Sequence, residues 1–501
     1  MRDWLAIRAE TTPEATALAA AGDVGMAASY ADLDRRVEVL AGRLAARGVG
    51  VDDALAVASP TGVGFVELVH ATQRLGATLV PLDPRLTAAE FATRLERVQP
   101  RAVVCTSGSE ATVLETADAP VVTLDDPSAG AERLADVDPE PFDLPEWTVD
   151  DPLVVMFTSG TTGDPKGVVL TLANVLASAT ASAFRLGLLP DDCWHVTLPM
   201  HHMGGLAPVY RSVLYGTALS VQRGFDPGET LSALRAADAT CLSVVPTMLE
   251  RLLAAGRMPD LRFVLVGGAP CPPDLLERAH ERGVPVAPTY GMTETASQIA
   301  TARPETAAAH PESVGTPLVF AELSVVDEGG VPCDPGETGE LLVDGAVVSP
   351  GYLDDAATAE AFSSGGLRTG DRGYRDEAGR LYVEGRIDDT IVTGGENVDP
   401  TEVADALRRH AAVADCAVVG LPDKEWGRRV AALAVLDGET TAADLRAHCR
   451  ARLADYKRPR TVGFAAELPR TASGTVDRGA VRRLLEGTDT ESGSNLSDAD
   501  P

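Results

Sequence analysis

The chain has 501 residues, 45% of them hydrophobic and 4% aromatic, enough for two or more domains with cores of their own. Its 74 acidic residues against 43 basic ones give a net charge of −31, which argues against a nucleic-acid partner, because phosphate backbones need a basic face. No apolar run reaches membrane-spanning length and the opening Met1-Arg2-Asp3-Trp4 lacks the basic-then-apolar plan of a signal peptide, so no membrane insertion and a cytoplasmic setting are expected.

Seven cysteines lie scattered at 105, 193, 241, 271, 333, 416 and 449, with no C-x-x-C pair, which reads as reduced core thiols rather than a disulfide frame or a zinc site. The acid surplus reads as a solvated surface suited to high salt, as in a halophile, where salt screens the self-repulsion. Forty of the 43 basic residues are arginine. A GC-rich genome accounts for the scarcity of lysine but not for where Lys166 stands.

Short apolar runs at 54–58, 78–81 and 102–105 alternate with helical segments and predict an α/β protein with mostly parallel sheets. The next apolar run, 153–157, leads directly into Thr158-Ser159-Gly160-Thr161-Thr162-Gly163-Asp164-Pro165-Lys166-Gly167. Glycines let backbone N–H groups approach an anion, hydroxyls add donors and one lysine adds a point charge, so this loop is suited to phosphate. Its spacing is not that of the nucleotide-triphosphatase loop. A strand at 263–266 precedes Gly267-Gly268-Ala269-Pro270, a helix follows Pro272-Pro273, and a strand at 284–287 precedes Tyr290-Gly291-Met292-Thr293-Glu294-Thr295. That last motif therefore begins just past a strand end, where open α/β sheets bind ligands.

Around 381–386 the pattern changes to a smaller unit: a helix at about 400–409, strands near 415–421 and 430–436, a helix at about 442–454 and a short helix ending at 484–486. The expected boundaries are 1–385 for an N-terminal domain, 386–388 for a hinge, 389–486 for a C-terminal domain and 487–501 for an acidic tail too poor in apolar residues to order.

Taken in order, these motifs resemble those of the adenylate-forming superfamily of acyl-CoA synthetases, peptide-synthetase adenylation domains and luciferases. Thr369-Gly370-Asp371, Gly385-Arg386-Ile387-Asp388-Asp389 and Gly394-Gly395-Glu396-Asn397 complete the set. The resemblance implies a large, multi-subdomain N-terminal α/β domain and a small mobile α+β C-terminal domain that turns about a hinge at Asp388 between two half-reactions. It also implies ATP, Mg2+ and coenzyme A as the partners of the reaction. Thr158, Ser159, Gly160, Thr161, Thr162, Gly163 and Lys166 would hold phosphate, and Glu294 with Thr161 would take the metal. Gly268, Ala269 and Pro270 would flank the adenine across from Tyr290, with Gly291, Met292 and Thr293 beside it. Asp371 would accept the ribose hydroxyls and Arg386 would reach them from the hinge. Gly394, Gly395 and Glu396 would line a tunnel for the pantetheine arm.

Within that superfamily, Pro199-Met200-His201-His202-Met203-Gly204-Gly205-Leu206, Arg211-Ser212-Val213-Leu214-Tyr215-Gly216, Pro246-Thr247-Met248-Leu249 and Thr293 to Ile299 are similar to the 2-succinylbenzoate–CoA ligases of menaquinone biosynthesis. His202 would then line or gate the acyl pocket, with Gly291 and Ser297, and Arg223 is the candidate cation for the second carboxylate of a small aromatic acid. Homo-oligomerisation stays open. The chain departs from the pattern at one catalytic position. Where the superfamily has Pro-x-x-x-Ser-Gly-Lys, this sequence reads Pro469-Arg470-Thr471-Ala472-Ser473-Gly474-Thr475. Three explanations compete: Arg470, Arg478 or Lys457 substitutes, adenylation is slow but sufficient, or the residue has been changed to trap a ligand complex. The alternatives to the expected activity are a ligase for another aromatic or fatty acid and a non-catalytic binder of acyl-adenylate or nucleotide.

Overall fold

Strands whose every residue is apolar need cover on both faces, and the sheets of this protein have it. In the computed structural model, Leu55 and Val57 point into one hydrophobic cluster while Ala56 and Ala58 point into another. Phe263 and Leu265 divide from Val264 and Val266 in the same way. Two-residue periodicity thus feeds two cores from one strand, as helix-covered parallel sheets require. The structure describes residues 3–21, 27–159, 165–389, 391–393, 396–424, 426–450, 452–471 and 476–486.

Two compact units divide the chain. The first comprises Met1–Ser324, Leu342–Arg368 and Asp376–Tyr382, and the second Val325–Leu341, Thr369–Arg375 and Val383–Pro501. The first unit holds two large sheets. One orders its strands Thr316–Pro317, Ala300–Thr301, Val286–Tyr290, Phe263–Val266, Cys241–Val244, Cys193–Val196, Ala218–Val221, Thr16–Leu18 and Ala28–Ser29. Its middle strands, from Val286–Tyr290 to Thr16–Leu18, are parallel. From Cys193–Val196 the chain moves to one side, to Ala218–Val221, and then crosses to the other, to Cys241–Val244. This reversal makes a topological switch point, and open α/β sheets hold ligands at the carboxyl ends of such points.

The other large sheet orders Gly351–Tyr352, Pro165–Thr171, Pro152–Ser159, Thr78–Leu82, Ala54–Ala58, Ala102–Cys105, Val121–Thr123 and Glu132–Arg133. Its first two pairings are antiparallel, so Pro152–Ser159 and Pro165–Thr171, which flank residues 160–164 in sequence, run as an antiparallel hairpin pair. Helix Leu172–Leu186 starts immediately afterwards. Thr171 caps it, accepting from the Asn174 N–H, while the Asn174 carboxamide accepts from the Thr171 N–H.

In the second unit an antiparallel sheet orders Glu396–Val398, Ile391–Thr393, Gly427–Leu436 and Val413–Asp423. Thr461–Ala465, a strand the sequence reading did not anticipate, joins Gly427–Leu436 in parallel, Ala431 facing Thr461. Helices Pro400–Arg408 and Ala442–Arg450 supply one core, and Arg478–Glu486 covers the other face through Val481 and Leu485. The helix expected to reach 454 ends at Arg450. The expected tail, 487–501, lies outside the described residues.

Candidate active site

The hairpin brings Thr158 opposite Lys166 in the antiparallel register, so the lysine leaves the loop on a strand rather than on the loop itself. Both are half-buried. Ser159 closes the first strand. Gly160, Thr161, Thr162 and Gly163 lie outside the described residues, and with them the metal assignment to Thr161.

Lys166 Nζ sits 5.2 Å from the ring centre of Tyr352, and the Tyr352 hydroxyl donates to Glu294 Oε1 at 2.9 Å. The structure thereby joins two expected residues through a third that the motifs did not name. Glu294 is 7% exposed, in the single turn Thr293–Thr295. The Ser349 N–H donates to its backbone carbonyl at 2.7 Å. The Tyr352 phenol is a neutral donor, so it orients the Glu294 carboxylate without adding a charge of its own. Mg2+ that retains water and takes phosphate oxygens needs only one or two carboxylates, so Glu294 fits that ion. Among the described residues no group of three or more His, Cys, Asp or Glu gathers to hold a metal by itself.

The turn around Glu294 is held in an uncommon backbone conformation. Ala296 and Ser297 have φ of 50° and 125°, and the Ile299 N–H donates to the Tyr290 carbonyl at 2.8 Å, folding 291–298 into a tight loop. Gly291 is required there. A β-carbon on it would stand 1.6 Å from the Ser297 carbonyl oxygen. Tyr290, Met292, Thr293 and Ser297 are half-buried around this loop.

Tyr290 ends its strand, one place from Phe263–Val266, whose carboxyl end continues into Gly268, Ala269 and Pro270. Gly268 has φ of 78°, and it and Pro270 are exposed while Ala269 is half-buried. The expected adenine-side residues thus come from adjacent strand ends.

His202 is half-buried at the start of helix Met203–Tyr215, its ring 4.6 Å from that of buried His201. The loop before them is pinned by Thr61, which donates to the Leu198 carbonyl and accepts from the Met200 N–H, each at 3.1 Å. Asp83, directly after the strand Thr78–Leu82, places Oδ2 3.5 Å from His201 Nε2 and is gripped by Arg85 through Nε at 3.0 Å and Nη2 at 2.8 Å. Burial, reinforced by His202, pulls the His201 pKa down to about 4, and burial lowers that of His202 too, so both rings are neutral at pH 7. Burial works to raise the Asp83 pKa, yet the Arg85 hydrogen bonds outweigh it and hold the carboxyl below its ordinary value. Thr61 and Asp83 were missed in the sequence, although Asp83 lies two residues beyond the strand predicted at 78–81. Arg223 is exposed, two residues beyond the strand Ala218–Val221. A buried guanidinium of the same region is Arg211, over the Trp194 ring at 5.6 Å.

In the second unit, Asp371 Oδ1 is 3.5 Å from Arg386 Nε, an ion pair of the two residues expected at the ribose. The Asp371 N–H donates to Thr369 Oγ1, which is buried and donates to the Leu341 carbonyl at 2.8 Å. Gly370 has φ of 69°, and a β-carbon on it would lie 3.1 Å from Arg386 Nη2. Asp388 lies in the short turn Ile387–Asp389, and Glu396 opens the strand Glu396–Val398. Gly394, Gly395 and Thr475 lie outside the described residues. Arg470 and Val476 on either side of Thr475 form an antiparallel bridge. The three cations weighed as substitutes are paired: Lys457 with Glu402, Arg470 with Asp415 and Arg478 with Asp389.

The AMP-binding enzyme family matches residues 5–353, and the AMP-binding enzyme C-terminal domain matches 402–475. A 2-succinylbenzoate–CoA ligase of Geobacillus kaustophilus is 40% identical over 98% of this chain and 99% of its own length. The o-succinylbenzoate CoA synthetase of Bacillus subtilis, solved with its acyl-adenylate intermediate, is 35% identical with a TM-score of 0.88, covering 99% of both chains. The same synthetase with ATP and a magnesium ion gives 35% identity and a TM-score of 0.86, covering 97% of this chain and 99% of that one.

Proposed function

Because this chain belongs to the AMP-binding enzymes, and among them to the 2-succinylbenzoate–CoA ligases, we infer that it joins 2-succinylbenzoate to coenzyme A with ATP, through an acyl-adenylate. The observation that carries this reading is the end-to-end likeness to the Bacillus subtilis synthetase that holds that adenylate. First a carboxylate oxygen attacks the α-phosphorus, and the bond to the β-phosphate oxygen breaks with diphosphate leaving. Then the coenzyme A sulfur attacks the acyl carbonyl, the carbon–oxygen bond to AMP breaks, and the thiol proton passes to solvent.

Both reactants of the first step are anions, so the protein's task is cations, donors and positioning. We assign Thr158, Ser159, Gly160, Thr161, Thr162, Gly163 and Lys166 to the β- and γ-phosphates, and Glu294 to Mg2+, which supplies charge neutralisation at the phosphates. Tyr290 offers a ring face to adenine with Gly268, Ala269 and Pro270 opposite. Asp371, turned toward Arg386, accepts the paired ribose hydroxyls. The neutral His201–His202 pair presents an aromatic wall to the acid. We place the enzyme in the cytoplasm, where ATP and coenzyme A are available; among the described residues no helix is long and apolar enough to cross a membrane.

The reading is tested by exchange of labelled diphosphate into ATP with a panel of benzoates and fatty acids. Exchange with 2-succinylbenzoate well above the rest supports it. Stronger exchange with another acid replaces the substrate, and tight adenylate binding with no exchange favours the non-catalytic alternative, which only Thr475 recommends.

A further inference from the structure

We propose that Tyr352 is a positioning residue for adenylation, setting the Glu294 carboxylate for the cation that accompanies ATP while holding the Lys166 ammonium beside it. The inference rests on the reading that Glu294 takes that cation. Tyr352 belongs to a strap, residues 346–353, laced to both sides of the site. The Asn174 carboxamide donates to the Ala346 and Val348 carbonyls at 3.0 and 2.8 Å. Ser349 Oγ donates to the Val169 carbonyl at 2.6 Å, and Tyr352 pairs with Val168 in the ladder. The Leu353 N–H donates to the Gly167 carbonyl at 2.8 Å, and the Leu353 side chain fills the space a β-carbon on Gly167 would need, 2.6 Å away. The phenol is therefore fixed relative to the strand that carries Lys166.

From that fixed point it acts on two charges of opposite sign. Its hydroxyl donates to Glu294 Oε1, which restrains rotation of the carboxylate that would meet the ion. A lysine or arginine in its place would neutralise the carboxylate; a phenol orients it and leaves its charge intact. Its ring face attracts the Lys166 ammonium without pairing it to an anion, so the charge remains available to phosphate. A purely structural tyrosine needs neither contact.

Calorimetry of ATP binding, in Mg2+ and in EDTA, tests this on the wild type and on Tyr352→Phe, which keeps the ring and removes the donor. A hydrogen bond to a charged group contributes enough that the Mg2+-dependent gain in ATP affinity should fall about tenfold or more in the variant. Binding in EDTA should stay within about twofold, because Lys166 keeps its ring. An undiminished Mg2+ gain overturns the proposal and leaves the proposed activity standing. A wild type with no Mg2+ gain overturns both the proposal and the Glu294 assignment, whichever acid the enzyme uses. Should Tyr352→Phe fail to fold, 3,5-difluorotyrosine at 352, whose phenol ionises near neutral pH, answers the same question. Its Mg2+ gain should collapse as pH rises while that of the wild type does not, and parallel profiles overturn the proposal.

Discussion

At the scale of single residues, the proposed first half-reaction turns on Thr475, which stands where the superfamily pattern has lysine. A hydroxyl cannot bring positive charge to two converging anions, and each nearby cation weighed as a substitute is held by a carboxylate: Lys457 by Glu402, Arg470 by Asp415, Arg478 by Asp389. Such partly exposed pairs contribute little, so one can be released at small cost, but an arginine fork does not reproduce a lysine point charge. Thr475→Lys should therefore speed single-turnover adenylate formation by about tenfold or more and leave thioester formation from supplied adenylate nearly unchanged; equal adenylation rates in the two proteins would contradict this. Buried histidines set a second prediction. Burial depresses the pKa values of His70, His195 and His201 from 6.5 to about 4 in the folded state. Between those values the unfolded chain binds more protons, so stability is complete above pH 6.5 and is lost as pH falls toward 4. Each site accounts for on the order of 3 kcal/mol across that window. The urea midpoint should drop steadily from pH 6.5 to 4 at constant salt, and a flat profile would show that the rings take protons without cost.

Among elements, the loop from Tyr290 to Ile299 is tightly constrained. A methyl group on Gly291 would overlap the Ser297 carbonyl oxygen, which no rotamer can relieve because both atoms are backbone-fixed. Gly291→Ala should weaken ATP binding at least about tenfold and lower the thermal midpoint by roughly 5 °C or more. Calorimetry and thermal denaturation read both, and unchanged values would mean that the loop relaxes without loss. The strand ends that lead into this loop and into Gly268 to Pro270 were legible in the sequence, because apolar runs broken by glycine have a local physical signature, whereas the strand Pro165–Thr171 was not anticipated. The parallel strands at 54–58 and 263–266 were legible for the same reason: two-sided burial writes uninterrupted apolar runs. Tyr352 was not, since its role comes from a strand pairing with Val168, far away in sequence. Asp83 and Thr61 escaped likewise; their partners, His201 and Leu198, follow Cys193–Val196 in the other large sheet. Thr461–Ala465 was missed as a strand because it is short and its partner precedes it by some thirty residues.

For the molecule as a whole, a charge of −31 means that folding works against its own repulsion. The screening length shrinks from roughly 30 Å at 0.01 M salt to about 3 Å at 1 M. The thermal midpoint should therefore rise by several degrees between dilute buffer and molar KCl, and a midpoint indifferent to salt would show that the acidic residues are neutralised locally instead. The same conditions frame the decisive experiment, in which the purified protein is incubated in molar KCl with ATP, Mg2+, coenzyme A and 2-succinylbenzoate, and the products are followed by mass spectrometry. 2-Succinylbenzoyl-CoA and AMP are expected in equal amounts, with no thioester when ATP is omitted. AMP and thioester from a different acid, with none from 2-succinylbenzoate, would contradict the proposed activity.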